Sequence, residues 1–340
     1  MELKARYNDK ELIKFSDTLM QLSRTVGFKL SSRGWAYIME QQGMIDKSQF
    51  DKVNTLINNC RKKGFLPIDF VAEEKAREFE GIVEADRRTI YEKFAQWLDW
   101  SLNCDSNYDV NWWKDETYYI QMVVEKVDLI SLFEPVCRKY KIPIANSKGW
   151  SSMLQRAEYA RRFKEAEDQG LKCVLLYCGD HDPDGLRISE FLRKNLSDLN
   201  NITWEDDVEG YDPENLIIDR FGLNYDFIMK NKFTWIDNLI TGGNKNLASP
   251  THKNFSMSYV QDYLKNVGER KCEANVIVTL PQIARNLCTE AIHKYLGNDA
   301  EQRFSVKQQQ VKRNFANFKQ EHNIDEKIEK IINIADNYIE

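Results

Sequence analysis

The sequence predicts an α/β fold with additional helices, in which a helical N-terminal part precedes a parallel β-sheet and a C-terminal helical part follows it. Three patterns support this prediction. Apolar residues recur at helical spacing in residues 1–105, strands alternate with helices in residues 106–255, and residues 256–340 are again mainly helical. With 340 residues, of which 42% are hydrophobic, the chain is long enough for two or three packed domains.

The N-terminal region predicts three helices and then a short extended segment. The second and third helices each begin near a serine, which is a favoured N-cap residue. Residues 74–100 predict a helical connector. Three helices followed by a β wing are the order of a winged-helix domain, in which one helix commonly enters the major groove of DNA. The helical stretches are "KELIKFSDTLMQLSRTV", "SRGWAYIMEQQGM" and "SQFDKVNTLINNCRKKG", and the extended segment is "GFLPIDFVAEE".

The charge of the chain is unevenly distributed. Residues 1–65 hold 12 Lys and Arg against 7 Asp and Glu, whereas the whole chain has a net charge of −5. This split predicts a cationic module that binds a polyanion, joined to an acidic module that holds metal ions. A solvated surface with uneven charge is the alternative interpretation.

Composition also argues against several classes of protein. The seven cysteines show no CxxC spacing, which favours neither a zinc site nor a disulfide framework. No apolar run has the roughly 18 to 20 residues that a membrane span needs, and the first residues contain no signal-peptide core. We therefore expect a cytoplasmic protein without a membrane partner.

In the middle region, the hydrophobic pattern changes from one of successive helices to one of strands that alternate with helices. Four stretches read as strands, and the segments between them read as helices. Such alternation predicts a parallel sheet covered on both faces, with functional sites at the carboxyl ends of the strands. Glu125 and the aspartate cluster that begins at Asp180 both lie at such ends. The predicted strands are "TYYIQMVVEK", "IPIANSKG", "KCVLLYCGD" and "ENLIIDRFGL".

The aspartate cluster "DHDPDG" predicts a divalent-metal site. Asp180 and Asp182 stand two residues apart on a strand-to-helix turn, where both can face one cation, and Glu125 is placed to complete the set. Oxygen ligands of this kind suit Mg²⁺ or Mn²⁺. A calcium-binding EF-hand is excluded because Phe191 stands at the twelfth position, where a bidentate glutamate is required.

The same cluster also allows a structural interpretation. Aspartates are common in solvated turns and at helix N-caps, so Asp180, Asp182 and Asp184 could have that role alone. His181, between the acids, could be a base or a ligand, but we expect a turn residue that faces water.

Glu125 at the end of one strand and "GDHDPDG" at the end of another resemble the Toprim domain of topoisomerases, primases and certain nucleases. The N-terminal stretch resembles the winged-helix segment of the topoisomerase VI A subunit and of the related meiotic break-forming transesterase. That family places its nucleophilic tyrosine four residues after an arginine, and Arg33 and Tyr37 keep this spacing. Two later stretches also resemble the family, "IIDRFGLNYDFI" and "RKCEANVIVTLPQIARNL", the latter around Glu273.

The resemblance covers about residues 20 to 295 and implies a mechanism. Tyr37 would attack a DNA phosphodiester to form a 5′-phosphotyrosyl link, and Arg33 would bind the scissile phosphate. Glu125, Asp180 and Asp182 would hold Mg²⁺, or Mn²⁺ in its place. The family also implies double-stranded DNA as partner and a homodimer in which tyrosine and metal site come from different protomers.

Several departures from the family pattern keep other functions open. Ala36 replaces an aromatic residue before Tyr37, Asp184 is an additional acid, and no ATPase region is recognised, so coupling to nucleotide hydrolysis would need a separate ATPase partner. Stand-alone chains of this layout resemble "mini-A" proteins and the Toprim nuclease subunits of anti-plasmid defence systems. The alternatives are a Toprim endonuclease that uses metal-activated water, with Tyr37 only structural, and a non-catalytic DNA-binding scaffold.

Overall fold

The computed structural model describes residues 7–72, 85–147, 153–200, 210–240 and 245–338. The predicted α/β class is confirmed, because a parallel four-stranded sheet is surrounded by helices. Contacts within the chain divide it into two compact units. One comprises Met1–Glu74 and Thr117–Leu296, and the other comprises Lys75–Glu116 and Gly297–Glu340. The predicted boundaries at residues 105 and 255 stay predictions, as does the combination of winged-helix and Toprim domains.

The first unit begins with three helices, α1 (Asp9–Val26), α2 (Ser32–Gln41) and α3 (Phe50–Lys62). Local sequence explains where the first two begin. Asn8 and Glu11 form a reciprocal capping box at α1, and the Ser31 hydroxyl caps α2 by accepting from the Gly34 amide. After α3, the extended segment appears as one isolated parallel bridge between Leu30 and Val71 in the described residues 7–72, and no hairpin wing is seen there.

The sheet consists of β1 (Tyr118–Val124), β2 (Ile144–Asn146), β3 (Lys172–Cys178) and β4 (Ile217–Gly222). Its strand order is β2-β1-β3-β4, and all pairs are parallel. The four predicted strands are therefore confirmed. β1 and β3 are buried along almost their whole length, which explains why both read as continuous apolar runs.

Helices connect the strands and cover the sheet. They are α5 (Val127–Lys139) after β1, α6 (Met153–Asp168) before β3, and α7 (Pro183–Leu186) with α8 (Ile188–Ser197) after β3. The sequence predicted one helix where α7 and α8 stand, and the structure interrupts it at Arg187. The first unit then continues with α9 (Tyr225–Asn231), α10 (Ser258–Asn266) and α11 (Pro281–Leu296).

The second unit is helical. It contains α4 (Ile90–Leu102), α12 (Ala300–Glu321) and α13 (Ile324–Asp336). Inside it, Glu116 pairs with Arg303 at 2.8 Å and with Lys307 at 3.2 Å. No helix among the described residues is both long enough and apolar enough to cross a membrane.

Candidate active site at the carboxyl edge of the sheet

The pairing of β1 with β3 brings Glu125 and Asp180 together. Val124 and Cys178 are paired at the carboxyl ends of the two strands, and Glu125 donates its backbone N–H to the Cys178 carbonyl at 3.0 Å. The backbone N–H of Asp180 then donates to Glu125 Oε2 at 2.6 Å. The sequence prediction that these two acids meet at one sheet edge is therefore matched by a direct contact.

Lys126 lies between the two acids. Its Nζ donates to Glu125 Oε1 at 2.9 Å and to Asp180 Oδ2 at 2.8 Å. Burial works against ionising Glu125, but the charge of Lys126 and the hydrogen bonds from Asp180 and Lys126 together outweigh it and lower the pKa of Glu125. Burial, and then the charge of Glu125, raise the pKa of Asp180. Of the two carboxyls, Glu125 thus keeps its charge more readily.

The other two aspartates of the cluster have structural contacts. Asp182 is the N-cap of α7, where its Oδ1 accepts from the Gly185 amide at 2.6 Å. Burial raises the pKa of Asp182. Asp184 Oδ1 accepts a hydrogen bond from the Tyr259 hydroxyl at 3.1 Å. The N-cap interpretation of the cluster therefore describes Asp182, whereas Asp180 faces Lys126 and Glu125.

His181 does not face water, so that prediction is wrong. Its exposed fraction is 3%, and its backbone pairs with Cys272 in an antiparallel bridge. The ring is 3.1 Å from the Tyr263 hydroxyl through Nδ1 and packs edge-on against Trp235. Burial, and then the charge of Arg220, lower the pKa of His181 to about 4. The pairing with Cys272 and the aromatic contacts direct His181 inward, which its sequence position could not reveal.

Tyr37 lies in α2 with an exposed fraction of 1%. Its hydroxyl donates to Glu273 Oε2, and its ring packs edge-on against Phe50 at 4.8 Å between centroids. Burial, followed by the negative charge of Glu273, raises the pKa of Tyr37 well above its usual value. The phenol is therefore held in its protonated form in this arrangement.

Arg33 lies one turn before Tyr37 and contacts the same carboxylate. Its Nη2 is 3.0 Å from Glu273 Oε2 and 3.3 Å from Oε1. The Arg33 side chain is 56% exposed, so part of the guanidinium remains open to a ligand. Burial opposes ionisation of Glu273, but the hydrogen bond from Tyr37 and the charge of Arg33 lower its pKa.

The tyrosine cluster and the acidic cluster meet in a single chain. The backbone N–H of Ala274, the residue after Glu273, donates to Asp180 Oδ1 at 2.7 Å. Tyr37 and Asp180 therefore both bind the segment at residues 273–274. Within the first unit, the structure brings all five predicted site residues to one region, with Tyr37 and Arg33 around Glu273 and the three acids around the end of β3.

Sequence reasoning assigned no role in the site to three residues that shape it. Lys126 bridges the acids, Tyr177 donates its hydroxyl to Glu125 at 3.3 Å, and Arg220 binds the backbone carbonyls of the acidic turn. The carbonyls bound by Arg220 are those of Gly179, Asp180 and Gly185 in that turn and that of Leu223 after β4. A charged residue within the fourth predicted strand was the sequence signal that could have identified Arg220. Lys126 directly follows Glu125, which was a signal as well.

Gly179 packs closely against the carboxylate of Glu125. A Cβ atom at Gly179 would lie 2.6 Å from Glu125 Oε2 and closer still to the Tyr177 hydroxyl, so these side chains would have to move. Glycine is thus required there for the Glu125 carboxylate to reach the Asp180 amide.

The carboxylates of Glu125 and Asp180 suit a magnesium ion. The third expected ligand, Asp182, instead accepts a hydrogen bond from the Gly185 amide. Glu125 Oε1 and Asp180 Oδ2 already converge on one cationic group, and Mg²⁺ is commonly held by one or two carboxylates together with water and substrate phosphate. In the described part of the chain, no three His, Cys, Asp or Glu side chains are grouped as a metal would require. Asp182 as metal ligand stays a prediction.

Comparison with known proteins gave no match: no protein-family model, no curated protein and no solved structure matches this chain. The functional conclusion therefore depends on the residues of the site.

Proposed function

We propose that this protein is a Mg²⁺-dependent Toprim-type endonuclease that cleaves double-stranded DNA by hydrolysis at the edge formed by Glu125 and Asp180. One observation carries the proposal. Two carboxylates at the ends of neighbouring parallel strands place Oε1 and Oδ2 at 2.9 and 2.8 Å from the same ammonium group, so that both face one cation position. A paired carboxylate site of this kind is suited to Mg²⁺ bound to a phosphodiester.

Each residue has a role that follows from its contacts. Bound Mg²⁺ would supply an activated water and neutralise charge on the phosphoryl group. Glu125 and Asp180 hold it, and each keeps its second oxygen fixed by a backbone N–H. Arg33, half exposed beside the site, binds a DNA phosphate through its planar guanidinium.

Hydrolysis is favoured over attack by tyrosine because Tyr37 is enclosed. A nucleophile must contact the phosphorus atom, yet the side chain of Tyr37 is 1% exposed and its proton is held by Glu273. Its raised pKa further disfavours the phenolate that attack requires.

The transesterase is the second candidate, and the Tyr37–Glu273 contact favours it. Glu273 is positioned to accept the phenolic proton as a general base. The Tyr37 oxygen would then bond to phosphorus and the DNA 3′ oxygen would leave with a proton, giving the 5′-phosphotyrosyl link. This reaction requires α2 to move so that Tyr37 reaches the phosphate.

The proposed partners are double-stranded DNA and a second copy of the chain. The excess of 12 Lys and Arg over 7 Asp and Glu in residues 1–65 supports binding of a polyanion. Because Tyr37 and Asp180 reach the same segment of one chain, a site with both residues does not need two protomers. A homodimer remains proposed as the means of cutting both strands. A separate ATPase partner is proposed only for the transesterase candidate.

Cleavage of supercoiled plasmid with Mg²⁺ and with EDTA tests the proposal, using DNA labelled at the 5′ end. Hydrolysis predicts nicked or linear plasmid in Mg²⁺ alone, with no label on denatured protein. Label retained on the protein would replace the hydrolytic mechanism with the transesterase. An absence of Mg²⁺-dependent cleavage, with DNA still bound, would leave the non-catalytic scaffold.

A further inference from the structure

Lys126 occupies the point on which the two metal-binding acids converge. Its Nζ is 2.9 Å from Glu125 Oε1 and 2.8 Å from Asp180 Oδ2, and the side chain is 29% exposed. Both acids are partly buried around it, so the ammonium neutralises charge that would otherwise be costly to place there. The Lys126 ammonium is therefore the cation that occupies the position between the two carboxylates.

The remaining oxygens of both acids are fixed independently of Lys126. Asp180 N–H donates to Glu125 Oε2 at 2.6 Å, and Ala274 N–H donates to Asp180 Oδ1 at 2.7 Å. Tyr177 adds a hydrogen bond to Glu125 Oε2 at 3.3 Å. These contacts hold the carboxylates in place when the ammonium leaves, which is the condition for one cation to replace another without refolding the turn.

We propose that Lys126 is a built-in competitor for the divalent cation: Mg²⁺ binds between Glu125 and Asp180 only by displacing the Lys126 ammonium. Lys126 thereby sets the Mg²⁺ concentration at which the site fills. This inference rests on the proposed function only in taking Glu125 and Asp180 as the metal ligands.

The alternative to displacement is coexistence of the two cations. A divalent ion and an ammonium a few ångströms apart repel each other strongly in a buried site. Because Lys126 follows Glu125 directly and has a flexible four-carbon stem, its head group can move into water while the backbone stays in place. Displacement is therefore the arrangement with the lower electrostatic cost.

Binding of Mn²⁺ to the full chain, measured at constant pH by the electron paramagnetic resonance signal of the free ion, tests the proposal without any DNA. Lys126→Met removes the competing charge and keeps the apolar stem. We expect its Kd for Mn²⁺ to fall at least about tenfold, because Mn²⁺ no longer has to displace the ammonium from its ion pairs with Glu125 and Asp180, whose attraction at an effective dielectric constant of about 20 exceeds that factor. Lys126→Arg retains the charge and should stay near the native affinity.

Two further variants complete the design. Lys294→Met removes a lysine that pairs with Asp219 at 2.6 Å instead of with Glu125 or Asp180, and it should leave Mn²⁺ affinity unchanged. If Lys126→Met does not fold, Lys126→Gln keeps an N–H donor between the acids and should show the same direction of change. Added Mg²⁺ should also raise the Tm of Lys126→Met more than that of the native protein.

The outcomes separate this inference from the proposed function. Tighter Mn²⁺ binding by Lys126→Met without DNA cleavage by any form would support the competitor role and contradict the nuclease. Mn²⁺ binding to Lys126→Met and Lys126→Gln that is no tighter than native overturns the competitor role, even if the native protein cleaves DNA.

Discussion

The hydroxyl of Tyr37 donates a hydrogen bond to the carboxylate of Glu273, which lies 236 residues further along the chain. This contact connects α2 to the segment that also binds Asp180 through the Ala274 amide. It makes Tyr37 part of the architecture of the acidic edge, whether or not the phenol ever attacks DNA.

Tyr37→Phe should lower the free energy of unfolding by about 1.5–3 kcal/mol, the range for a hydrogen bond to a charged group. The ring packing against Phe50 is kept, so the loss reports the hydroxyl alone. Urea denaturation measures the change, with Tyr108→Phe as an exposed control. On the hydrolytic mechanism this variant still cleaves DNA, and complete loss of cleavage in a folded protein would argue for the tyrosine nucleophile.

Substitutions of the acids should separate metal binding from turn structure. Asp180→Ala and Glu125→Ala should each abolish Mg²⁺-dependent cleavage while DNA binding remains. Asp184→Asn is the matched control, because Asp184 contacts Tyr259 and can keep that hydrogen bond as an amide. Plasmid nicking and a gel-shift assay give the two readouts. Undiminished cleavage by both alanine variants would remove the Toprim assignment.

Asp128 should make folding stability depend on pH. It is fully buried at the start of α5 and accepts hydrogen bonds from the amide and hydroxyl of Ser31, at 2.5 and 2.6 Å. Burial raises its pKa in the folded state. A raised pKa means that the Asp128 contribution is fully present below the unfolded value near 3.9 and is lost as pH rises through the folded pKa.

Asp128→Asn removes this titration and keeps an acceptor for Ser31. From about pH 4 upward, the native protein should lose stability relative to the variant, and the difference should level off above the folded pKa. Urea midpoints measured across that range provide the check. A difference that does not vary with pH would show that Asp128 does not titrate on folding.

Lys47→Met should leave stability unchanged or raise it by about 1 kcal/mol, because a buried ammonium without a hydrogen bond is costly. The Lys47 Nζ is buried without a hydrogen-bond partner among the described residues, and it lies 5.9 Å from the centre of the Tyr37 ring. Methionine retains the apolar stem. Thermal denaturation alongside Lys62→Met, a change at the end of α3, supplies the comparison. A clear loss of stability specific to Lys47→Met would contradict the interpretation.

Local sequence determined the order of strands and helices and the position of two acids at strand ends. Alternating segments specify a parallel sheet, and the carboxyl ends of parallel strands share one edge, so Glu125 and Asp180 were expected at the same edge. The observed pairing of β1 with β3 then makes them neighbours. The serine expected near the start of the second helix is likewise a local signal, and Ser31 caps α2, whereas α3 begins without a side-chain cap.

The tertiary structure alone decided which groups face each other at that edge. The inward direction of His181, the contact of Tyr37 with Glu273 and the Lys126 bridge depend on side-chain directions and on residues far apart in the chain. Hydrophobic periodicity places elements and faces, but it does not specify which side chain fills the space between two carboxylates. Burial then restricts which side chains can be neighbours. A charged group that is removed from water is costly unless a group of opposite charge or a hydrogen-bonding group lies beside it.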